Sequence, residues 1–116
     1  AALFAEDGRW VRPGRQPIVG RDAIRSHARA MFQAPLYDGR VVHMITNILF
    51  SIEEDGLGST SYCLAYGAAE TSANGVAAMC PPLSIARYVN RFRLEAGKWK
   101  IGFHRTEFLF TAPSIG

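Results

Sequence analysis

The residues best suited to chemistry in this chain are His43 and Asn47, four positions apart in the apolar run Val41-Val42-His43-Met44-Ile45-Thr46-Asn47-Ile48-Leu49-Phe50-Ser51-Ile52. An imidazole titrates near neutral pH and can give or take a proton, and a nearby amide can orient it or a bound molecule. Side chains alternate along a strand, so His43, Ile45, Asn47, Leu49 and Ser51 are expected on one face. Val42, Met44, Thr46, Ile48, Phe50 and Ile52 then share the other. Both faces are mostly apolar, which predicts cover on both sides. Burying an imidazole and an amide without partners costs about 1–3 kcal/mol each. Either a hydrogen-bonded core network or a ligand could offset that cost, and the residue types leave both open.

Other polar groups could complete a site. Tyr62, Tyr66 and Tyr88 could donate phenolic hydrogen bonds to a carbonyl or enolate oxygen, although each also fits a core or interface with one satisfied hydroxyl. Asn90, like Asn47, could orient a substrate or simply tie neighbouring strands. Trp10 is expected to close one end of the core. His104 reads as a partly exposed strand histidine, at a pocket rim at most. Arg87 and Arg105 could hold a carboxylate but read as surface residues. Glu53, Glu54 and Asp55 belong to a solvated turn. No metal-ligand spacing, glycine-rich phosphate cradle or Ser-His-Asp order is present, so neither a metal nor a cofactor is expected. Cys63 and Cys80 form no CxxC pair and read as free thiols of a reducing cytoplasm.

Positioning these groups falls to a small set of elements. Ala1 to Ala5 reads as the last turn of a helix, Trp10-Val11 as a short strand ended by Pro13-Gly14, and residues 16–20 as turn. From Asp22 the pattern turns helical, with Ala23, Ile24, His27, Ala28, Met31 and Phe32 on one face and Arg21, Arg25 and Arg29 on a solvated one. Pro35 stops that helix. Residues 40–53 form the first long strand, and Glu53-Glu54-Asp55-Gly56 is a hairpin connection into Leu57–Ala69. Residues 70–82 read as a long loop. Leu83–Leu94 places Ala86, Tyr88, Asn90, Phe92 and Leu94 together, with Arg87, Arg91 and Arg93 opposite. Glu95-Ala96-Gly97 turns the chain into a last strand, Lys98–Phe110. There Trp99, Ile101 and Phe103 are expected on one face and His104, Thr106 and Phe108 on the other. This order predicts an α+β fold with helices on one side of a mostly antiparallel sheet.

At 116 residues, 48% of them hydrophobic and 20% charged, the chain suits one globular domain with a single core. A net charge of +3 is too small and dispersed for a nucleic-acid partner. No apolar run reaches the roughly 18–20 residues of a membrane span, and Glu6, Asp7 and Arg9 interrupt any leader-like segment. No membrane partner is expected, and the location is expected to be cytoplasmic.

Several short motifs, in this order and spacing, resemble the SnoaL-like branch of the nuclear transport factor 2-like (cystatin-like) superfamily. They are Leu3-Phe4-Ala5-Glu6-Asp7-Gly8, Gly20-Arg21-Asp22-Ala23-Ile24, Val42-His43-Met44-Ile45-Thr46-Asn47, Tyr88-Val89-Asn90-Arg91-Phe92 and Gly97-Lys98-Trp99-Lys100-Ile101. The resemblance implies one SnoaL-like domain over 1–116, with most of its first helix lacking. It further implies a curved sheet wrapped around helices as a cone with an internal pocket. Scytalone dehydratase and bile-acid 7α-dehydratase are the relatives whose chemistry it suggests, since both place a histidine where His43 stands. The family's catalytic aspartate and a partner tyrosine lie on a long first helix, of which residues 1–5 would be only the final turn; bile-acid dehydratase has an acid at the position of Tyr66, and many relatives carry Asp at the position of Asn90.

The expectation that follows is a small-molecule-binding protein, a cofactor-independent dehydratase or isomerase of an apolar cyclic substrate such as a steroid, terpenoid or polyketide. His43 and Tyr66 would be catalytic, with Asn47, Tyr62, Tyr88, Asn90 and Trp10 binding substrate in a pocket under the helix of residues 22–33. The alternative is a non-catalytic module resembling the β subunit of ring-hydroxylating dioxygenases. Apolar residues on both faces of the first long strand also predict a homodimer or higher oligomer through the sheet, with Val42, Met44, Ile48, Phe50 and Ile52 on the outer face.

Overall fold

Six strands and one helix make up the described part of the chain in a computed structural model. It covers residues 1–33, 41–71 and 77–111, with the side chains of 68–71 and 77–81 left aside. Strands β1 (Phe4–Val11), β2 (Ile18–Val19), β3 (Val42–Glu53), β4 (Gly56–Thr71), β5 (Ala77–Glu95) and β6 (Lys98–Thr111) form one sheet in the order β2-β1-β6-β5-β4-β3. Helix α1 (Arg21–Gln33) packs on β1 and β2. The α+β expectation holds, and the sheet curls without closing.

The amino terminus departs from expectation. Phe4–Val11 is a strand, not the end of a helix, and it pairs in parallel with β6 through bonds such as Ile101 N–H to the Leu3 carbonyl at 2.7 Å. A short apolar run such as Leu3-Phe4-Ala5 suits either state, and the free edge of β6 decides for the strand. Arg21 holds this strand down. Its Nε donates to the Phe4 carbonyl at 2.8 Å, and its Nη2 pairs with Glu95, which in turn accepts from the Glu6 N–H at 2.8 Å. Arg21 is thus a tie and not part of a solvated stripe. The Glu6 N–H, followed by Arg21 and Arg93, holds the Glu95 carboxyl below its usual range.

α1 begins after Gly20, carries Asp22 in its first turn, and buries Ile24 to 1% exposure. Farther along, Phe32 is 72% exposed, so the apolar stripe is covered only near its start. The expected stop at Pro35 lies outside the described residues.

Two tight hairpins set the register of the long strands. Glu53 pairs with Gly56 across a two-residue loop, and a Cβ on Gly56 would meet the Phe92 carbonyl oxygen at 2.5 Å. Glu95 pairs with Lys98 across Ala96-Gly97, whose positive φ values of 51° and 77° are those of a type I′ turn. The stretch expected to be loop is partly strand: β4 runs to Thr71 and β5 starts at Ala77, while residues 72–76 are not described. Pro82 is accommodated where the β4–β5 register slips, a place where a missing N–H costs little.

Three further slips re-aim side chains. In β3, Thr46 opposes Tyr62 but Leu49 opposes Thr60, so Asn47 and Ile48 together face Ser61 as a β-bulge. Asn47 adopts φ 54°, a left-handed conformation that asparagine tolerates better than most residues. The bulge overturns the expected faces of this strand. His43, Ile45, Phe50 and Ile52 share the helix-facing inner side, while Val42, Met44, Leu49 and Ser51 share the outer one. Phe50 and Ile52 are therefore not outer-face residues. In β6, Arg91 opposes Phe103 while Phe92 opposes Ile101, which again breaks the alternation read from sequence. A further slip separates Ile85, opposite Phe110, from Ala86, opposite Phe108.

Candidate functional site

Register alone builds a row across the inner face. Phe50, Ser59, Asn90, His104 and Trp10 stand side by side on β3, β4, β5, β6 and β1. Beside it runs a row of Ser61, Tyr88 and Thr106. The row on the other side is apolar throughout, with Ile52, Leu57, Phe92, Ile101 and Phe4. The polar groups thus occupy the middle of a greasy surface, with Phe50 and Trp10 as aromatic ends.

Hydrogen bonds give the central row a direction. His104 Nδ1 lies 2.6 Å from Asn90 Oδ1, an acceptor, which assigns the ring proton to Nδ1. The lone pair on Nε2 then accepts from the Thr106 hydroxyl at 3.3 Å, and Asn90 Nδ2 donates to the Ser59 hydroxyl oxygen at 3.4 Å. Aromatic rings wall the imidazole, with the Tyr88 centroid at 4.6 Å, Trp10 at 6.0 Å and Phe4 at 6.5 Å, all edge-on. Burial in this cluster lowers the His104 pKa from 6.5 to about 4, so the ring is neutral near pH 7. On α1, His27 stacks edge-on against Trp10 at 5.1 Å. Its pKa is lowered too, first by burial and then by the charges of Arg12 and Arg15. The Trp10 indole N–H is buried with no hydrogen-bond partner. Cys63 is 2% exposed and free, and burial raises its pKa against the opposing effect of a hydrogen bond from Tyr88. The surface can therefore hold a neutral imidazole in one tautomer, oriented by an amide and shielded from water.

Of the residues singled out from sequence, Trp10, Tyr88 and Asn90 come together around His104. The others lie elsewhere. His43 is on the inner face but exposed on the edge strand, opposite Ala65 and away from α1. Six residue steps along β4 separate Ala65 from Ser59, roughly 20 Å at the strand rise. Asn47 sits exposed at the bulge, accepting from the Thr46 hydroxyl at 2.9 Å, and shares no enclosure with His43. Tyr66 pairs with Val42 and Tyr62 with Thr46, which puts both tyrosines on the outer face, opposite to His43. The expected pocket over His43 and Asn47 under α1 is absent among the described residues, because a 13-residue helix covers only the β1–β2 end of a six-stranded sheet. A concavity of about 390 Å³ opens instead among Val89, Arg91, Arg93, Phe103 and Arg105. Its guanidinium groups are matched by carboxylates: Arg91 pairs with Glu53, Arg93 with Asp7, and Arg105 with Glu107 at 2.8 Å.

His104, His27, Ser59 and Thr106 were not legible as a group. Counting outward from the Ala96-Gly97 turn would set Asn90 opposite Phe103, and the slip between Ile101 and Phe103 moves His104 into that place. Polar residues at alternate positions of neighbouring strands, Tyr88 and Asn90 against His104 and Thr106, were the one usable signal.

No helix among the described residues is long and apolar enough to cross a membrane, and no group of three or more metal-ligating side chains occurs among them. No curated protein matches the chain. Solved structures do. A protein of unknown function from Mycobacterium tuberculosis superposes with TM-score 0.72 at 25% identity, over 99% of this chain and 62% of its own. The chain thus spans less than two thirds of that protein's length. A protein provisionally described as a scytalone dehydratase, from Novosphingobium aromaticivorans, gives 0.72 at 21% identity, over 96% of this chain and 69% of its own. ActVI-ORFA from Streptomyces coelicolor gives 0.69 at 18% identity, over 93% and 78%. The profile of the SnoaL-like domain matches residues 1–105, and with most of the chain covered in this way the protein belongs to the SnoaL-like domain family.

Proposed function

We propose that the inner face binds an apolar cyclic molecule and moves a proton on it without a cofactor, by dehydration or isomerisation, with His104 as the acid/base. One observation carries this reading: the His104 imidazole is held neutral and in a single tautomer inside an aromatic cluster, with Asn90 fixing its Nδ1–H. The likeness to a protein described as a scytalone dehydratase supports the same class of reaction. In a β-hydroxy ketone, Nε2 takes the proton next to the carbonyl and the freed electron pair forms the new double bond. The C–O bond then breaks, and the departing hydroxyl takes the same proton from the imidazolium and leaves as water. Asn90 Oδ1 stabilises the transient imidazolium through Nδ1–H, while Trp10 and Tyr88 exclude water. Thr106 yields its weak bond to Nε2 when substrate arrives. In isomerisation the proton returns to a different carbon.

The test is turnover of cyclic β-hydroxy ketones, read by mass spectrometry as loss of water, for the wild type and His104→Gln. Gln can still donate to Asn90 but cannot carry the proton, so a fall of about 10²-fold or more is expected. Equal turnover by the variant would remove His104 from the reaction. Tight binding with no turnover by either protein would favour the non-catalytic module.

A further inference from the structure

Beyond the central polar rows, the inner face carries a second polar end. Moving along the strands from Ser61, Tyr88 and Thr106, the next row is Ile45, Cys63, Ala86 and Phe108, with no group that would bind an oxygen strongly. The row after that is His43, Ala65, Ser84 and Thr111. Four residue steps along β4, from Ser61 to Ala65, separate the two polar rows, which is roughly 13 Å at the strand rise. The intervening band is apolar and partly open, with Ile45 and Phe108 exposed by nearly half. His43 is the sole ionisable side chain of β3 before Glu53, and its exposure on the inner face leaves it accessible.

Resting on the reading of the inner face as a binding surface, we propose that its ligand is elongated and two-ended. One oxygen function is held at the Ser61-Tyr88-Thr106 row beside His104 and a second, roughly 13 Å away, is held by His43 across an apolar middle. His43 is a binding residue that measures ligand length. A flat molecule of three fused or linked rings matches that span, whereas a two-ring molecule reaches only one end.

The test is equilibrium binding, by ligand fluorescence, of linear terphenyl carrying a hydroxyl at both ends, at one end, or at neither, with dihydroxybiphenyl as the short control. The wild type is expected to bind the two-ended terphenyl about tenfold more tightly than the one-ended form, the effect of one well-made hydrogen bond. His43→Leu should erase that difference without changing affinity for the one-ended form, and His43→Gln, which keeps a donor, should restore it. Dihydroxybiphenyl should bind no better than the one-ended terphenyl and should be indifferent to His43. Equal affinity of the wild type for one-ended and two-ended terphenyl overturns the role of His43 while leaving the binding surface intact. Failure of all four compounds to bind overturns the surface itself and the inference with it.

Discussion

Acidification should destabilise this protein through His104 before its carboxylates matter. The folded pKa of about 4 lies below the ordinary 6.5, so between those values the unfolded chain binds more protons than the folded one. Stability therefore rises with pH across this window. It is complete above the unfolded value and is lost progressively as the pH falls from 6.5 towards 4. With these two values the loss between neutral pH and about pH 5 is about 2 kcal/mol, and the full separation corresponds to about 3 kcal/mol. His27, lowered in the same direction, contributes with the same sign. Glu53 and Glu95 are lowered carboxylates, so their contribution is present above the ordinary 4.5 and goes only as the pH drops below it. The assay is urea unfolding at a series of pH values between about 7.5 and 4.5, for the wild type and His104→Gln. The wild type should lose about 2 kcal/mol by about pH 5, and the variant less than half of that. An identical pH slope in both proteins would refute the burial of His104 as the source of its low pKa.

Two further outcomes test the geometry around the site. At the β3 bulge, Asn47→Gly should keep stability within about 0.5 kcal/mol, because glycine accepts a positive φ, whereas Asn47→Val should cost about 1–2 kcal/mol in urea unfolding. The Cys63 thiol, buried and raised in pKa, should stay unreactive towards a thiol reagent in the native protein at neutral pH and react on unfolding, which mass spectrometry of tryptic peptides would show.

The elements themselves were largely written in the chain. Period-two alternation marked β3, β4, β5 and β6, the 3.6-residue recurrence around Ile24 and Ala28 marked α1, and Gly56 and Ala96-Gly97 marked the two hairpins. These signals are local, since each depends only on where neighbouring side chains project. The Tyr88-Asn90 face of β5 was legible for the same reason, as no slip interrupts residues 86–90 against β4.

What tertiary structure decided was the phase between those local patterns. A single extra residue at Asn47–Ile48 sends Phe50 inward and Leu49 outward, and one at Gly102 brings His104 rather than Phe103 opposite Asn90. Leu3-Phe4-Ala5 became a strand only because the edge of β6 was open to receive it. A bulge costs little locally and its place is set by what the partner strands can pack, so no window of sequence contains it. His104 owes its neutral state, its tautomer and its neighbours to its own strand, the adjoining β5 and the sequence-distant β1. Composition showed that a histidine was present, and the fold determined which histidine was kept dry.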